Sequence, residues 1–315
     1  GLATSTRIFR SLLMLSSIRS PIRWPSDHHR VSERGSAWLR QAQQLGGGVH
    51  LLHGPCGAAE LGRTGLEVSR LGIGSGYGVP AAAVEKAFHE HGINYLYWSL
   101  SRRAGMTEAI RSLAPNHRDE MIIVMQTYDH SGLFIEKAHE RGLKKLGIDH
   151  ADVLILGWFN RYPGRRVLDA ATRLKEQGKV RFLAMSGHNR KTHGSVAAMS
   201  DTPIDILMVR YNAAHTGAER DVFPCLPADN RPGITSYTAT RWGQLLKERK
   251  MPAGEKPLTA AECYRFVLSN PNIDLCFTGP KNAAELDQAL LALDAGPLSA
   301  KEIERVRRIG DHVHG

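Results

Sequence analysis

Val153-Leu-Ile-Leu156, then Val167-Leu-Asp-Ala-Ala-Thr-Arg-Leu-Lys-Glu-Gln177 closed by Gly178, then Arg181-Phe-Leu-Ala-Met185, reads as strand, helix and strand. A parallel return needs a crossover of a dozen or more residues, and a helix supplies it. Gly178 marks the helix stop, because glycine enters the left-handed conformation without steric cost. The same rhythm extends in both directions. Further β-type runs at 71–73, 94–98, 121–125, 206–209, 234–237 and 275–277 bring the total to eight. Helical patterns occupy 81–91, 106–113, 134–146, 259–268 and 283–293, and a last helix capped by Ser299 runs toward Ile309. In the third of these, Ile135, Ala138, Leu143 and Leu146 share one side. Thr259 with Glu262 three residues on predicts a capping box.

Eight strands alternating with helices from residue 60 onward predict an α/β fold, a (β/α)8 TIM barrel. A doubly wound sheet is the alternative. Its mark would be an early dinucleotide turn, and Gly74-Ser-Gly-Tyr-Gly78 matches neither GxGxxG nor a P-loop. That segment reads as a tight turn after the first strand.

Of 315 residues, 42% are apolar and 23% charged, which excludes a mostly disordered chain. No apolar run is long enough to predict a membrane span. Four cysteines (56, 225, 263, 276), none in CxxC spacing, make neither a disulfide framework nor a metal motif. The histidine pairs 28/29, 89/91 and 312/314 lack a third ligand, so no metal is expected. The formal charge is +10, and half of it sits in residues 1–59, with seven arginines against two acids. There is no long basic run and no basic–aromatic alternation, so nucleic acid is not an expected partner. Residues 1–59 are Ser- and Arg-rich, with Leu-Leu-Met-Leu at 12–15 and glycines at 46–48. They read as an N-terminal extension, disordered or transit-like, ahead of a barrel over 60–315. The expected compartment is the cytoplasm, or a mitochondrion or plastid if 1–59 is a transit peptide.

Leu61-Gly-Arg-Thr-Gly-Leu-Glu-Val-Ser-Arg-Leu-Gly-Ile-Gly74 resembles the opening hairpin and first strand of the aldo-keto reductases. Leu174-Lys-Glu-Gln-Gly-Lys-Val-Arg181 is similar to their segment before strand five. Phe266-Val-Leu-Ser-Asn-Pro271, Thr278-Gly-Pro-Lys281 and Ala284-Glu-Leu-Asp287 resemble their last two βα units. The resemblance spans about 61–310 and implies a barrel with a short N-terminal β-hairpin and a C-terminal helix. It does not by itself imply the reaction.

The family's chemistry uses Asp, Tyr, Lys and His. The Tyr hydroxyl protonates the substrate carbonyl while NADPH delivers hydride. Alignment of Gly92-Ile-Asn-Tyr-Leu-Tyr-Trp-Ser-Leu-Ser-Arg-Arg103 puts Tyr97 at the Asp position and Arg102 at the Tyr position. Gln126 stands at the Lys position, and Gly157, followed by Trp158, at the His position. An arginine holds its proton at neutral pH and is a poor general acid. A neutral glutamine does not depress the pKa of a phenol. The standard mechanism therefore cannot run on these parts. Either the chemistry has been lost, or other groups replace it. Tyr97, Arg102, Gln126, Trp158 and the loop histidine His188 are the candidate catalytic set; His215 is a second loop histidine with a suitable ordinary pKa.

The cofactor positions are mixed. Ser186 matches a carboxamide contact, and Tyr237 falls where the family stacks a ring on nicotinamide. Thr238 to Gly243 fall near the pyrophosphate. Lys281 and Asn282, with Gly279 before them, fit a 2′-phosphate site at a helix start. Gln288 falls in the adenine pair. Against these, Gly187 replaces an amide, Met208 a glutamine and Ala289 an asparagine. The resemblance thus implies NADP(H). The loops after strands carry a net +9 and those before strands −5, which predicts a basic C-terminal face and an anionic small-molecule ligand. The expected function is a divergent NADP(H)-linked oxidoreductase acting on an anionic carbonyl or alcohol. A non-catalytic dinucleotide- or anion-binding barrel and a non-redox enzyme remain the alternatives.

Overall fold

A computed structural model describes residues 57–99 and 104–314. The expectations for Arg102 and Arg103, and for residues 1–56 of the N-terminal segment, lie outside the described residues.

A two-stranded antiparallel hairpin comes first, β1 (Ala58–Glu60) with β2 (Glu67–Ser69). Eight parallel strands then close into a barrel. They are β3 (Leu71–Gly74), β4 (Tyr95–Trp98), β5 (Ile122–Thr127), β6 (Ala151–Leu156), β7 (Val180–Ser186), β8 (Ile204–Arg210), β9 (Gly233–Tyr237) and β10 (Leu275–Thr278). The order around the barrel is sequential, with β10 returning to β3. The helices are α1 (Ala81–His91), α2 (Ala104–His117), α3 (Ile135–Leu146), α4 (Arg165–Glu176), α5 (Arg190–Ala197), α6 (Ala218–Asp221), α7 (Ala260–Leu268), α8 (Ala283–Asp294) and α9 (Ala300–His314). This is the expected (β/α)8 barrel with an N-terminal hairpin and a C-terminal helix.

Local chemistry sets the helix ends. Thr259 and Glu262 form both halves of the capping box. Ser299 and Glu302 do the same for α9, since each accepts the other's backbone N–H. Gly178 turns the chain out of α4 at φ +68°. Two differences from the sequence reading stand out. Helix α2 runs through Pro115 to His117, four residues beyond the expected end. Helix α5 was not legible at all: it is short, contains Gly194, and depends on Asn189, whose side chain accepts from the Lys191 and Thr192 N–H groups.

The core has two parts. Helix faces pack on the outside of the strands. Inside the barrel, Tyr95, Ile122, Val124, Val153, Ile155, Ala184, Ile206, Leu275 and Phe277 alternate with the outward-facing residues. Leu61, Leu66 and Val68 of the hairpin join that interior cluster and close the N-terminal end. A side chain at Gly62 would lie 2.3 Å from the Gly233 nitrogen, so the hairpin meets the barrel backbone to backbone.

The N-terminal face is held by carboxylates. Buried Asp152 accepts from the Ile123 N–H (2.8 Å), Arg118 (3.0 Å) and Arg181 (2.9 Å). Asp274 ties Arg231 to the Ile234 N–H. Asp205 pairs with Lys175 at 3.0 Å. Asp152, Asp205 and Asp274 thus fasten neighbouring strands together at this end. The opposite face is left for binding.

Candidate active site and cofactor cleft

Strand alternation determines what reaches the C-terminal mouth. On β4 the inward residues are Tyr95 and then Tyr97; on β5, Ile122, Val124 and then Gln126; on β8, Ile206, Met208 and then Arg210. The Tyr97 hydroxyl donates to Gln126 Oε1, and Phe277 packs edge-on against the Tyr97 ring at 5.6 Å.

Gly157 follows β6. A Cβ there would sit 2.2 Å from Gln126 Nε2 and 2.8 Å from the Tyr128 ring. Those two side chains occupy the space a histidine would need. Trp158 then adopts φ +62°, rare for a bulky residue, and lies 61% exposed against Tyr128, ring centroids 4.7 Å apart. Its backbone N–H donates to Ser186 Oγ at 3.3 Å. Asn160 Oδ1 accepts from the backbone N–H groups of His188 (2.7 Å) and Asn189 (3.1 Å), clamping the loop after β6 to the loop after β7. Gly187 is forced by the same contact, because a Cβ there would lie 2.2 Å from the Phe159 carbonyl oxygen. Two of the departures from the family pattern are therefore locked in place by their neighbours.

Across the mouth, the Tyr237 hydroxyl and His188 Nδ1 are 3.3 Å apart. Burial raises the Tyr237 pKa, and the Arg210 guanidinium works against it. Burial lowers the His188 pKa, and Arg210 adds to that. His215 is driven down to about 4 by burial first, then by Arg210, His314, Arg241 and Arg190.

A cleft of about 790 Å³ opens beside this mouth. Tyr97 and Tyr237 line its inner end, with Thr238, Trp242 and Gly243 along one wall and Gly76, Tyr77 and Gly279 along another. Lys281 and Asn282, at the start of α8, and Gln288, further along it, also line the cleft. Thr238, Arg241, Trp242 and Gly243 all have positive φ, so this wall is an irregular loop, pinned where Asn212 Nδ2 donates to the Thr238 carbonyl at 2.8 Å.

The structure thus gathers Tyr237, Thr238, Gly243, Gly279, Lys281, Asn282 and Gln288 on one cleft with Tyr97. It does not bring Ser186 there: that side chain is buried, and its oxygen accepts the Trp158 backbone N–H. Gln126 reaches the cleft only through Tyr97, and Trp158 stands on the outer rim. Sequence reasoning missed Glu285, which also lines the cleft. Its carboxylate accepts the Lys281 N–H at 2.9 Å and lies 3.9 Å from Lys281 Nζ. The signal was there, an acid four residues after the lysine on a helix start. Among the described residues no cluster of metal-ligating side chains occurs, and no helix is long and apolar enough to cross a membrane.

A sequence model of the aldo/keto reductase family matches residues 80–261, more than half of the chain. An NADP(+) aldo-keto reductase named yakc from Schizosaccharomyces pombe is 29% identical over 122 residues, which is 38% of this chain and 35% of that protein. The matched stretch thus spans about a third of that relative's length. Among solved structures, a Klebsiella pneumoniae aldo/keto reductase in complex with NADP and acetate superposes with a TM-score of 0.66 at 19% identity, over 81% of this chain and 96% of that one. The holo form of a Bacillus halodurans aldo-keto reductase gives 0.67 at 18% identity, over the same shares.

Proposed function

The chain belongs to the aldo/keto reductase family, and from that premise we propose that it is a divergent NADP(H)-linked oxidoreductase acting on an anionic carbonyl or alcohol through a non-standard proton donor. The observation that carries the reading is the cleft. Seven residues selected for cofactor contacts line it, and its inner end is Tyr97. At Gly76 and Gly243 nothing lies within 4 Å of where a side chain would start, which leaves backbone open to a ligand at two points of the cleft. The Klebsiella relative was solved with NADP and acetate, and the fission-yeast relative carries NADP(+) in its name, which is consistent with the same cofactor here.

NADPH, when bound, supplies the hydride. The protein's part is then to place the substrate carbonyl at the inner end of the cleft and to deliver a proton to its oxygen. Tyr97 is the hydroxyl at that position. Gln126 accepts its hydrogen bond in the resting state and fixes the ring orientation. His188 is the alternative donor: its protonated form would pass a proton through the Tyr237 hydroxyl, 3.3 Å from Nδ1, and return to neutral imidazole, although burial and Arg210 both disfavour that protonated form. Tyr128 and Trp158 offer an apolar rim to the rest of the substrate.

A second reading has its own observation. Gln126 and Gly157 supply neither charge nor proton at two of the family's catalytic positions, so a dinucleotide-binding barrel without turnover fits the same cleft. Calorimetric titration with NADPH, followed by its oxidation at 340 nm with a panel of anionic and neutral carbonyl compounds, separates the two. Binding with oxidation supports the oxidoreductase. Binding without oxidation supports the second reading. No binding at millimolar NADPH sinks both.

A further inference from the structure

Arg210 is the last residue of β8 and the third of its inward-facing series, after Ile206 and Met208. It pairs in register with Tyr237 on β9, at the level of the barrel mouth. It is half-buried. No carboxylate of the described residues lies within ion-pair distance of it. Of the other half-buried arginines, Arg63 pairs with Asp205, Arg118 and Arg181 with Asp152, Arg231 with Asp274 and Arg265 with Glu302; Arg241, in the loop after β9, donates to the His314 carbonyl oxygen at 3.3 Å. Nearby Arg190 is already paired with Asp221 at 2.9 Å.

The surroundings of Arg210 make the lack of a counter-ion costly. His188, His215 and Tyr237 all sense its charge. None of them is an anion at neutral pH. A partly desolvated guanidinium beside neutral rings is an incomplete ion pair. Its planar fork matches a carboxylate through two parallel N–H···O bonds. Arg190 and Arg241 also reach His215, so it is the flat geometry of the Arg210 fork, and not a lone charge, that favours a planar carboxylate here. The residue is absent from the lining of the cofactor cleft, so this cation is separate from those that would meet the dinucleotide.

We propose that Arg210 anchors a substrate carboxylate at the barrel mouth and sets the selectivity for anionic over neutral carbonyl compounds. Around the barrel β8 lies opposite β4, the strand of Tyr97. The carboxylate and the reacting carbonyl therefore enter from opposite sides of one mouth, with Tyr237 and His188 on the Arg210 side. This assignment rests on the oxidoreductase reading for its substrate, but the anion site can be tested without turnover.

The test is calorimetry of the full chain with succinate and, separately, inorganic phosphate, on the parent, Arg210→Met and Arg210→Lys. The expected result is succinate binding to the parent, weakened about 10- to 100-fold in Arg210→Met and partly regained in Arg210→Lys, with NADPH affinity unchanged in all three. Where NADPH oxidation is measurable, Arg210→Met raises KM for a carboxylated aldehyde about 10- to 100-fold more than KM for its neutral methyl ester. Equal succinate affinity in the parent and Arg210→Met overturns the assignment. Phosphate binding more tightly than succinate overturns the choice of carboxylate. Failure of NADPH to bind, with the succinate result intact, removes the oxidoreductase reading and leaves the anion site standing.

Discussion

Tyr97 donates its phenolic hydrogen to the side-chain oxygen of Gln126, on neighbouring strands at the floor of the barrel mouth. The bond gives the phenol a fixed direction and its partner no charge. A proton leaving Tyr97 would find a neutral amide, which accepts or donates a hydrogen bond but cannot stabilise a phenolate as an ammonium would. Turnover through Tyr97 therefore depends on position more than on acidity. Tyr97→Phe is expected to lower the rate of NADPH oxidation by about 100-fold or more, with NADPH affinity unchanged. Gln126→Leu should lower the rate less, because the hydroxyl remains. A Tyr97→Phe protein as fast as the parent assigns the proton to another group, and His188→Gln then becomes the decisive variant.

Gly157 is bound to Gln126 and Tyr128 by space alone. A methyl group there would come within 2.2 Å of Gln126 Nε2. Gly157→Ala is expected to destabilise the fold by about 1–3 kcal/mol, the ordinary range for overpacking, read as a lower midpoint in urea. Gln126→Ala removes the obstructing atoms, so the double variant should recover part of that loss. Strict additivity of the two single effects would mean that the glycine is not held by the glutamine. Gly157→His alone should not restore the family's histidine, because its place is taken.

Much of this arrangement was readable before any coordinates, and the reason differs by level. The barrel followed from period: apolar runs alternating with helical stretches, closed by residues such as Gly178 and Thr259 whose chemistry is local. The positions of Tyr237, Thr238, Lys281 and Asn282 followed from motifs anchored to strand ends. What could not be read was mutual exclusion in three dimensions. Nothing in the sequence says that Gln126 fills the space over Gly157, or that Phe159 forbids a side chain at Gly187, since those contacts join loops from different strands. The burial of Ser186 away from the cleft was hidden for the same reason: the backbone N–H that meets its oxygen belongs to Trp158, distant in the chain. The fate of Arg210 was half legible. Its charge was counted, but its lack of a carboxylate depends on where every acid went.

Glu285 changes the expectation for the adenine end of the cleft. Lys281 there carries an acid partner at 3.9 Å, and both are exposed. A 2′-phosphate would gain the lysine and meet the glutamate. Lys281→Met is expected to weaken NADPH by about tenfold and leave NADH nearly unchanged. Glu285→Gln should strengthen NADPH relative to NADH, since it removes a like charge. Parallel changes for both nucleotides would place the 2′-phosphate elsewhere.

His193 supplies a pH dependence of stability. It is buried on α5, its Nε2 lacks a partner, and burial, helped by the nearby His188, drives its pKa down to about 4 from an ordinary 6.5. The folded protein therefore keeps this ring neutral, while the unfolded chain takes up a proton as soon as the pH falls below 6.5. The unfolded state binds more protons throughout that window, so stability rises with pH there. The contribution is complete above pH 6.5, declines as the pH falls, and levels off below about 4, where the folded ring is protonated too. Thermal midpoints measured at intervals from pH 7 to pH 4 should fall in the parent. They should fall less steeply in His193→Asn, whose side chain does not titrate, even if that variant starts from a lower midpoint. An acid limb of the same slope in both proteins would show that the carboxylates fastening the N-terminal face, Asp152 and Asp274 among them, carry the acid sensitivity instead.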